Sequence, residues 1–372
     1  MTSGTVLDRA LRGCELSADE GDLLFQAELD SLIAAADDAR RSRVGDSVSY
    51  VVNRNINFTN ICTKRCAFCA FSRSASDEDA FSLSVDEIVR RTREAASLGA
   101  TEVCLQAGLM PGDDGRHYLN ICRAIKWEAP DIHIHGFSPE EVSYGVQQSG
   151  LTVEDYLGRL KDAGVGSLPG TSAEILDDAV RQRISPGRIS TDRWVEIVRT
   201  AHRLGIPTSA TIMYGHLETS RQIARQFVLF RRIQQETGGF TELVPLSFIG
   251  KGLPSTLSWP GVLRIHAVAR LMLGGWIDNI QVSWVKHGPE LASQVLSAGA
   301  NDFGGTLMNE SISAAAGAGH GEFLSPQAIR TWIRSADRIP VQRSTTYQTL
   351  RVFEMEPPGA EAMDLWGAAA CS

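Results

Sequence analysis

From Val48 onward the hydrophobic pattern repeats one unit: a short apolar run of strand length, then a longer stretch whose apolar positions recur near the 3.6-residue period of a helix. The strand-like runs fall at about 50–57, 102–106, 132–137, 165–168, 208–213, 243–248, 279–284 and 300–304. The periodic stretches predict helices from Ser84 and over about 116–128, 152–163, 173–181, 191–204, 220–236, 260–273, 289–297 and 325–336. Ser84 opens its helix with the S-x-x-E pattern of a capping box, and Thr191 is a candidate cap for another. Such alternation favours a parallel sheet, and eight units in register predict an α/β fold of the TIM type, a (β/α)8 barrel. Pro245 inside the sixth strand and the brevity of the fourth and eighth are the weak points of the count. Before the barrel, Leu23, Leu24, Ala27, Leu29, Leu32 and Ile33 recur near the helical period. The expected organisation is an N-terminal helical extension over 1–46, the barrel over 47–340, and a short C-terminal extension and tail over 341–372.

The first strand runs straight into Cys62, Cys66 and Cys69, a C-x3-C-x2-C spacing. Three thiolates in one loop can ligate three irons of a 4Fe–4S cluster, which ordinarily takes four cysteines, and leave the fourth iron open to a substrate. The spacing resembles that of the radical S-adenosylmethionine (SAM) superfamily, in which the open iron chelates the amino and carboxylate groups of SAM. Two blander readings stand beside it. A structural zinc site would want four Cys or His ligands and a second cysteine pair, which does not follow here. Three cysteines can also be small buried hydrophobes. Cys14, Cys104, Cys122 and Cys371 have no regular spacing, so no disulfide framework is expected. Cys104 and Cys122 read as core residues, and Cys371 as part of a loose tail.

Composition narrows the function classes. An apolar fraction of 43% and a charged fraction of 22% are those of an ordinary soluble globular protein. A net charge of −8 argues against a nonspecific grip on nucleic acid. There is no apolar run long enough to cross a membrane and no hydrophobic signal core at the polar start, so a cytoplasmic location with no membrane partner is expected.

In a barrel of this type the chemistry sits on the loops that follow the strands. After the second strand comes Gln106-Ala107-Gly108-Leu109, a small-residue turn where backbone could approach a ligand closely. The third strand carries His133, His135 and Phe137, which alternation puts on one face. Glu174, after the fourth strand, could accept hydrogen bonds from ribose hydroxyls or complement a helix N-terminus. Tyr214-Gly215-His216 follows the fifth strand, Ser283-Trp284-Val285-Lys286-His287 belongs to the seventh, and Gly304 to Glu310 forms the eighth loop.

The segments NRNINFTNIC, FCAF, EVCLQAG, HIHGFSP, LPGTSAEILDD, TIMYGH, ETGGFTELVPLSF, IQVSWVK, GANDFGGTLMNESIS and RSTTYQTL resemble, over about residues 50–350, the CofH-type subunit of FO synthase, an enzyme of deazaflavin biosynthesis. The family pattern is departed from at Ala107, Gly136 and Asn309. The resemblance implies a radical SAM barrel with a 4Fe–4S cluster on Cys62, Cys66 and Cys69, and SAM as the second cofactor. It implies contact of Phe68 with adenine, of Ala107 and Gly108 with the methionyl amine, and of Glu174 with the ribose. The implied reaction cleaves L-tyrosine and joins its 4-hydroxybenzyl fragment to 5-amino-6-(D-ribitylamino)uracil, with His135, Tyr214, His216 and Trp284 as the candidates for holding the two substrates. One cluster motif implies a separate CofG-type subunit for the later ring closure, and a flavodoxin or ferredoxin as reductant. The alternatives are a relative of the aminofutalosine synthase of menaquinone biosynthesis, and a noncatalytic iron–sulfur or zinc protein.

Overall fold

In the computed structural model, which describes residues 2–250 and 252–354, the expected strands close into one parallel ring. The first is split at Val52 into β1 (Ser47–Val51) and β2 (Asn53–Ile56). From β2 the sheet continues through β3 (Glu102–Leu105), β4 (His133–Gly136) and β5 (Val165–Ser167). A Leu168–Thr208 bridge reaches β6 (Thr208–Tyr214), which pairs with β7 (Phe240–Ser247). Bridges Leu243–Ile280 and Gln281–Asp302 carry the ring on to β8 (Asp302–Gly305), and Ser49 opposite Asp302 closes it on β1. Amphipathic helices cover the outside, and the apolar core lies between them and the ring. The N-terminal helices Ser3–Leu11, Ala18–Leu24 and Leu29–Val44 pack on the outer helices Ser220–Thr237 and Trp259–Leu273.

Several local predictions are corrected. The seventh strand, expected over 279–284, survives only as bridges at Ile280 and Gln281, and the chain turns into a short helix at Trp284–His287. Leu243 makes both rungs to this segment, accepting from Gln281 N and donating to Asn279 O. The next residue facing the same way is Pro245, which has no N–H to extend the ladder. The helix expected near 173 starts only at Asp178, because Arg181 Nη1 binds the carbonyls of Ser172 and Ala173 at 3.0 and 2.7 Å and Ser172 and Glu174 take positive φ. The cap of the helix Thr191–Arg203 is Ser190 rather than Thr191. At Ser84 only half of the capping box forms: its hydroxyl accepts from Glu87 N, while the Glu87 carboxylate turns to Arg90 and Arg91. A further helix, Pro139–Ser149, was not expected, although Ser138-Pro139-Glu140-Glu141 is a full capping box with proline at the first position.

Beyond the eighth unit, β9 (Ile339–Arg343) runs parallel to β1 and turns back through β10 (Thr349–Val352). It drives Arg343 into the floor of the ring. There the guanidinium grips Asp302 with Nε–Oδ2 2.5 Å and Nη2–Oδ1 3.1 Å, reaches Glu242 at 3.5 Å and lies 4.0 Å from the Tyr347 ring centre. Both partners of the main pair are buried. Breaking one side of such a pair leaves an uncompensated charge, which costs about 3–5 kcal/mol. Asp302→Ala is therefore expected to lower the unfolding free energy in denaturant by that order, whereas a change within ~0.5 kcal/mol would make the pair dispensable.

Candidate active site

The cysteine loop is held by its own hydrogen bonds, from the Asn60 side chain and from the backbone. Asn60 accepts from Phe81 N at 2.8 Å and donates to Asp79 O at 2.8 Å, and Cys62 N donates to Arg73 O at 3.0 Å. These bonds tie the outgoing and returning arms together. The loop then docks on the end of β3: Gly108 N donates to Thr59 O and Thr63 N to Leu109 O, both at 2.9 Å. A Cβ on Gly108 would sit 2.3 Å from Ile61 O and 3.0 Å from Cys62 Cβ. The small residue expected to admit a ligand admits the cysteine loop itself.

The three thiols are half-buried and line one wall of a cavity of about 260 Å³ at the C-terminal ends of the strands. Below it, inside the ring, lies a second cavity of about 240 Å³. Gln106, Thr171, Thr211, Leu246, Lys286 and Ile312 line both, so the two form one chamber with a neck. Most barrels of this type fill that space with Val, Ile and Leu. Here Asn53, Glu102, His135, Ser209, Glu242 and Gln281 face it instead.

A buried ion-pair ladder braces the wall beside the cysteine loop. Arg188 donates to Glu174 at 2.6 Å and to Glu140 at 3.2 Å, and its guanidinium carbon lies 5.8 Å from the Phe68 ring centre. Burial lowers the Arg188 pKa, but the Glu174 carboxylate and the other anions nearby outweigh it and the group is held well above its ordinary value. Next to this ladder, Glu141 accepts from Ala107 N at 3.0 Å and from Ser138 N at 2.7 Å. Burial nonetheless pushes its pKa up to about 7. Burial likewise pushes the Cys66 thiol up to about 12, with Arg188 opposing, so a metal taken up there must displace a bound proton. The donor set fits a 4Fe–4S cluster: three cavity-facing thiols, with the nearby carboxylates of Glu140 and Glu174 already engaged by Arg188.

Phe68, Ala107, Gly108 and Glu174 all line the upper part of the chamber with the cysteines, and His135 lines the lower part. His135 Nδ1 and His133 Nε2 meet at the Ser167 hydroxyl, at 2.7 and 2.8 Å. Burial pulls the His135 pKa down to about 4, leaving a neutral ring at neutral pH. Phe137 does not share its face but stacks on Tyr118 in the outer layer, with ring centres 4.4 Å apart. Tyr214, His216 and Trp284, expected to hold substrate, do not line the chamber. Trp284 is buried and donates to Gly305 O at 2.8 Å. His216 bonds Met213 O at 3.0 Å and accepts from Leu217 N at 2.7 Å. Tyr214 is buried among core side chains. The chamber residues missed from the sequence include Glu140, Glu141, Arg188 and Arg343, while Lys286 belongs to the strand-end segment expected at the mouth. The capping box at Ser138 could have found Glu140 and Glu141; Arg188 sits in a loop with no local pattern.

A parallel eight-membered ring with a three-cysteine loop at its mouth defines a radical SAM barrel. Residues 56–226 match the radical SAM superfamily and residues 249–355 the CofH/MqnC C-terminal region. A protein of Methanopyrus kandleri named 5-amino-6-(D-ribitylamino)uracil–L-tyrosine 4-hydroxyphenyl transferase is 49% identical over 347 residues, covering 90% of this chain and 94% of that protein. A protein of the same name from Methanothermobacter thermautotrophicus is 49% identical over 331 residues, covering 87% and 90%. The chain belongs to the radical SAM superfamily and, within it, to the family of these CofH-type transferases. Among solved structures, HydG, a maturase of the FeFe hydrogenase, superposes with a TM-score of 0.72 at 15% identity over 91% of this chain and 75% of that one. Methylornithine synthase PylB does so at 0.69 and 19%, over 90% and 97%. At those identities the likeness is one of fold.

Two outcomes follow from the geometry. Gly108→Ala should keep the circular-dichroism signature of the barrel but lose most of the iron taken up on anaerobic reconstitution; full iron and sulfide content would mean that the loop tolerates the Cβ. For Glu141, folding raises the pKa from its ordinary 4.5, so its contribution is fully present below that value and is lost as pH rises through about 7. Melting temperatures compared between about pH 5 and about pH 8 should show wild type losing ground to Glu141→Gln as pH rises; parallel profiles would contradict this.

Proposed function

We propose that the protein is a radical SAM transferase that cleaves L-tyrosine and joins its 4-hydroxybenzyl fragment to 5-amino-6-(D-ribitylamino)uracil. The observation that carries the reading is the three-cysteine wall opening on a two-part chamber, in a chain of this family. The name shared by the relatives favours this reading over the aminofutalosine-synthase and noncatalytic alternatives.

Cys62, Cys66 and Cys69 would hold the 4Fe–4S cluster. When bound, the cluster and SAM supply a carbon-centred radical, chemistry that no side chain can provide. The protein's part is position and shielding. Phe68 offers a ring face to the adenine, and the carbonyls of Ala107 and Gly108 are acceptors for an ammonium. Glu174 spends one oxygen on Arg188 and keeps the other for ribose hydroxyls. Phe71, Leu109, Met213 and Phe248 line the upper chamber and exclude water from the reacting groups. In the lower part, neutral His135 and the amide and hydroxyl groups of Asn53, Gln281 and Ser209 suit a polyhydroxylated, uncharged acceptor better than an apolar one. The adduct would pass to a separate CofG-type radical SAM subunit, and flavodoxin or ferredoxin would supply the electron. No helix among the described residues is long and apolar enough to cross a membrane.

Reconstituted wild type given SAM, dithionite, tyrosine and the diaminouracil should release 5′-deoxyadenosine, and Cys66→Ala should release none above background. Equal release by the variant would remove the cysteine loop from the chemistry.

A further inference from the structure

Among the described residues, four cationic side chains line the chamber: Lys64, Arg188, Lys286 and Arg343. Three are spent on the protein itself. Arg188 lies between Glu174 and Glu140, Arg343 grips Asp302, and Lys64 bonds the carbonyl of Gly187. The ammonium of Lys286, by contrast, has no hydrogen bond or ion pair among the described residues.

Its place is particular. Lys286 stands on the short helix Trp284–His287 that replaces the end of the seventh strand, and it lines both the upper and the lower part of the chamber, at the neck. The acid whose charge acts on it, Glu310, directs its carboxylate to the backbone N–H groups of Ile312 and Ser313 at 3.0–3.1 Å. Burial lowers the Lys286 pKa, and the Glu310 charge raises it. A half-sequestered ammonium with no partner is costly unless an anion arrives.

We infer that Lys286 is a substrate-positioning residue that pairs with the α-carboxylate of the amino-acid substrate. The inference rests on the transferase reading above. Of the molecules in that reaction, the diaminouracil carries no carboxylate, and the SAM carboxylate belongs with the open iron beside the cysteines. The tyrosine carboxylate is the anion left without a partner, and the neck is where a cation waits. An amino acid anchored there has its side chain free to reach toward either part of the chamber, with its Cα–Cβ bond between them. Trp284, two residues earlier, is spent on Gly305 O, so it is Lys286 that this strand end delivers to the substrate.

The test uses reconstituted holoenzyme with Lys286→Met, Lys286→Arg and, should Lys286→Met fail to fold, Lys286→Gln. Wild-type turnover of tyrosine with the diaminouracil comes first, since its absence would defeat the transferase reading and not this one. The KM for tyrosine should rise on the order of 10- to 100-fold in Lys286→Met, the scale of losing one charge-assisted hydrogen bond. The KM values for SAM and for the diaminouracil should stay within about 3-fold. Lys286→Arg should recover part of the loss. Two competitive inhibitors give a reading that structural damage would not: 3-(4-hydroxyphenyl)propionate, which keeps the carboxylate, should lose affinity in Lys286→Met, while tyramine, which lacks it, should not. Equal weakening of both inhibitors, an unchanged tyrosine KM, or a selective rise in the SAM KM would each overturn the assignment.

Discussion

The structure depends on one close approach between backbones. Ile61 O and Cys62 Cβ press on Gly108 where a side chain would otherwise be, and the hydrogen bonds from Gly108 to Thr59 and from Thr63 to Leu109 clamp that contact. The clamp is made of main chain, so its requirement is the absence of a Cβ rather than the presence of a functional group. It turns the cysteine loop inward over the strand ends, so that three thiols, the Ala107–Gly108 peptide and the Arg188 ladder share one cavity. Without it the cysteines would stand on an outer loop with no chamber beneath them.

The second constraint is the polar interior. Leaving a barrel unfilled and lining it with Asn, Glu, His and Ser forfeits apolar packing and desolvates polar groups, which is tolerable only where they pair with one another. Some do so in two separate groups: Asn53 donates to Glu102 at 2.9 Å and accepts from Leu307 N at 3.0 Å, and Ser167 joins the two histidines. At the bottom, β9 seals the ring by adding Arg343 beside Asp302 and Glu242, where burial holds the Glu242 pKa up at about 7. A floor closed by charge below and a cysteine loop above leave the neck at Lys286 as the place where the two halves of the chamber meet.

Much of this was legible in the sequence where the signal is local. Strand–helix periodicity predicts the barrel, and the cysteine spacing marks the loop that opens on its chamber. The misses have local causes too. Pro245 ends a ladder on the neighbouring strand, so the seventh strand fades although its own residues read as a good strand. That early turn into helix separates Trp284 from Lys286, which strand alternation would put on one face, and leaves Lys286 at the chamber. Tyr214 and His216 follow a strand as functional residues often do, yet one sinks into the core and the other satisfies neighbouring backbone groups. Arg188 and Arg343 are found only through partners outside any local pattern: Glu174 and Glu140 lie 14 and 48 residues before Arg188, and Asp302 lies 41 residues before Arg343.

The most direct measurement is the mass of what the reconstituted enzyme makes from tyrosine and 5-amino-6-(D-ribitylamino)uracil in the presence of SAM and dithionite. A product carrying the 4-hydroxybenzyl group on the intact ribityl-uracil, with its label retained from ring-labelled tyrosine and absent when tyrosine is labelled only at the carboxyl carbon, is the predicted result. SAM cleavage without any such adduct, or an adduct that keeps the carboxyl label, would contradict the assignment of this chamber to tyrosine cleavage and transfer.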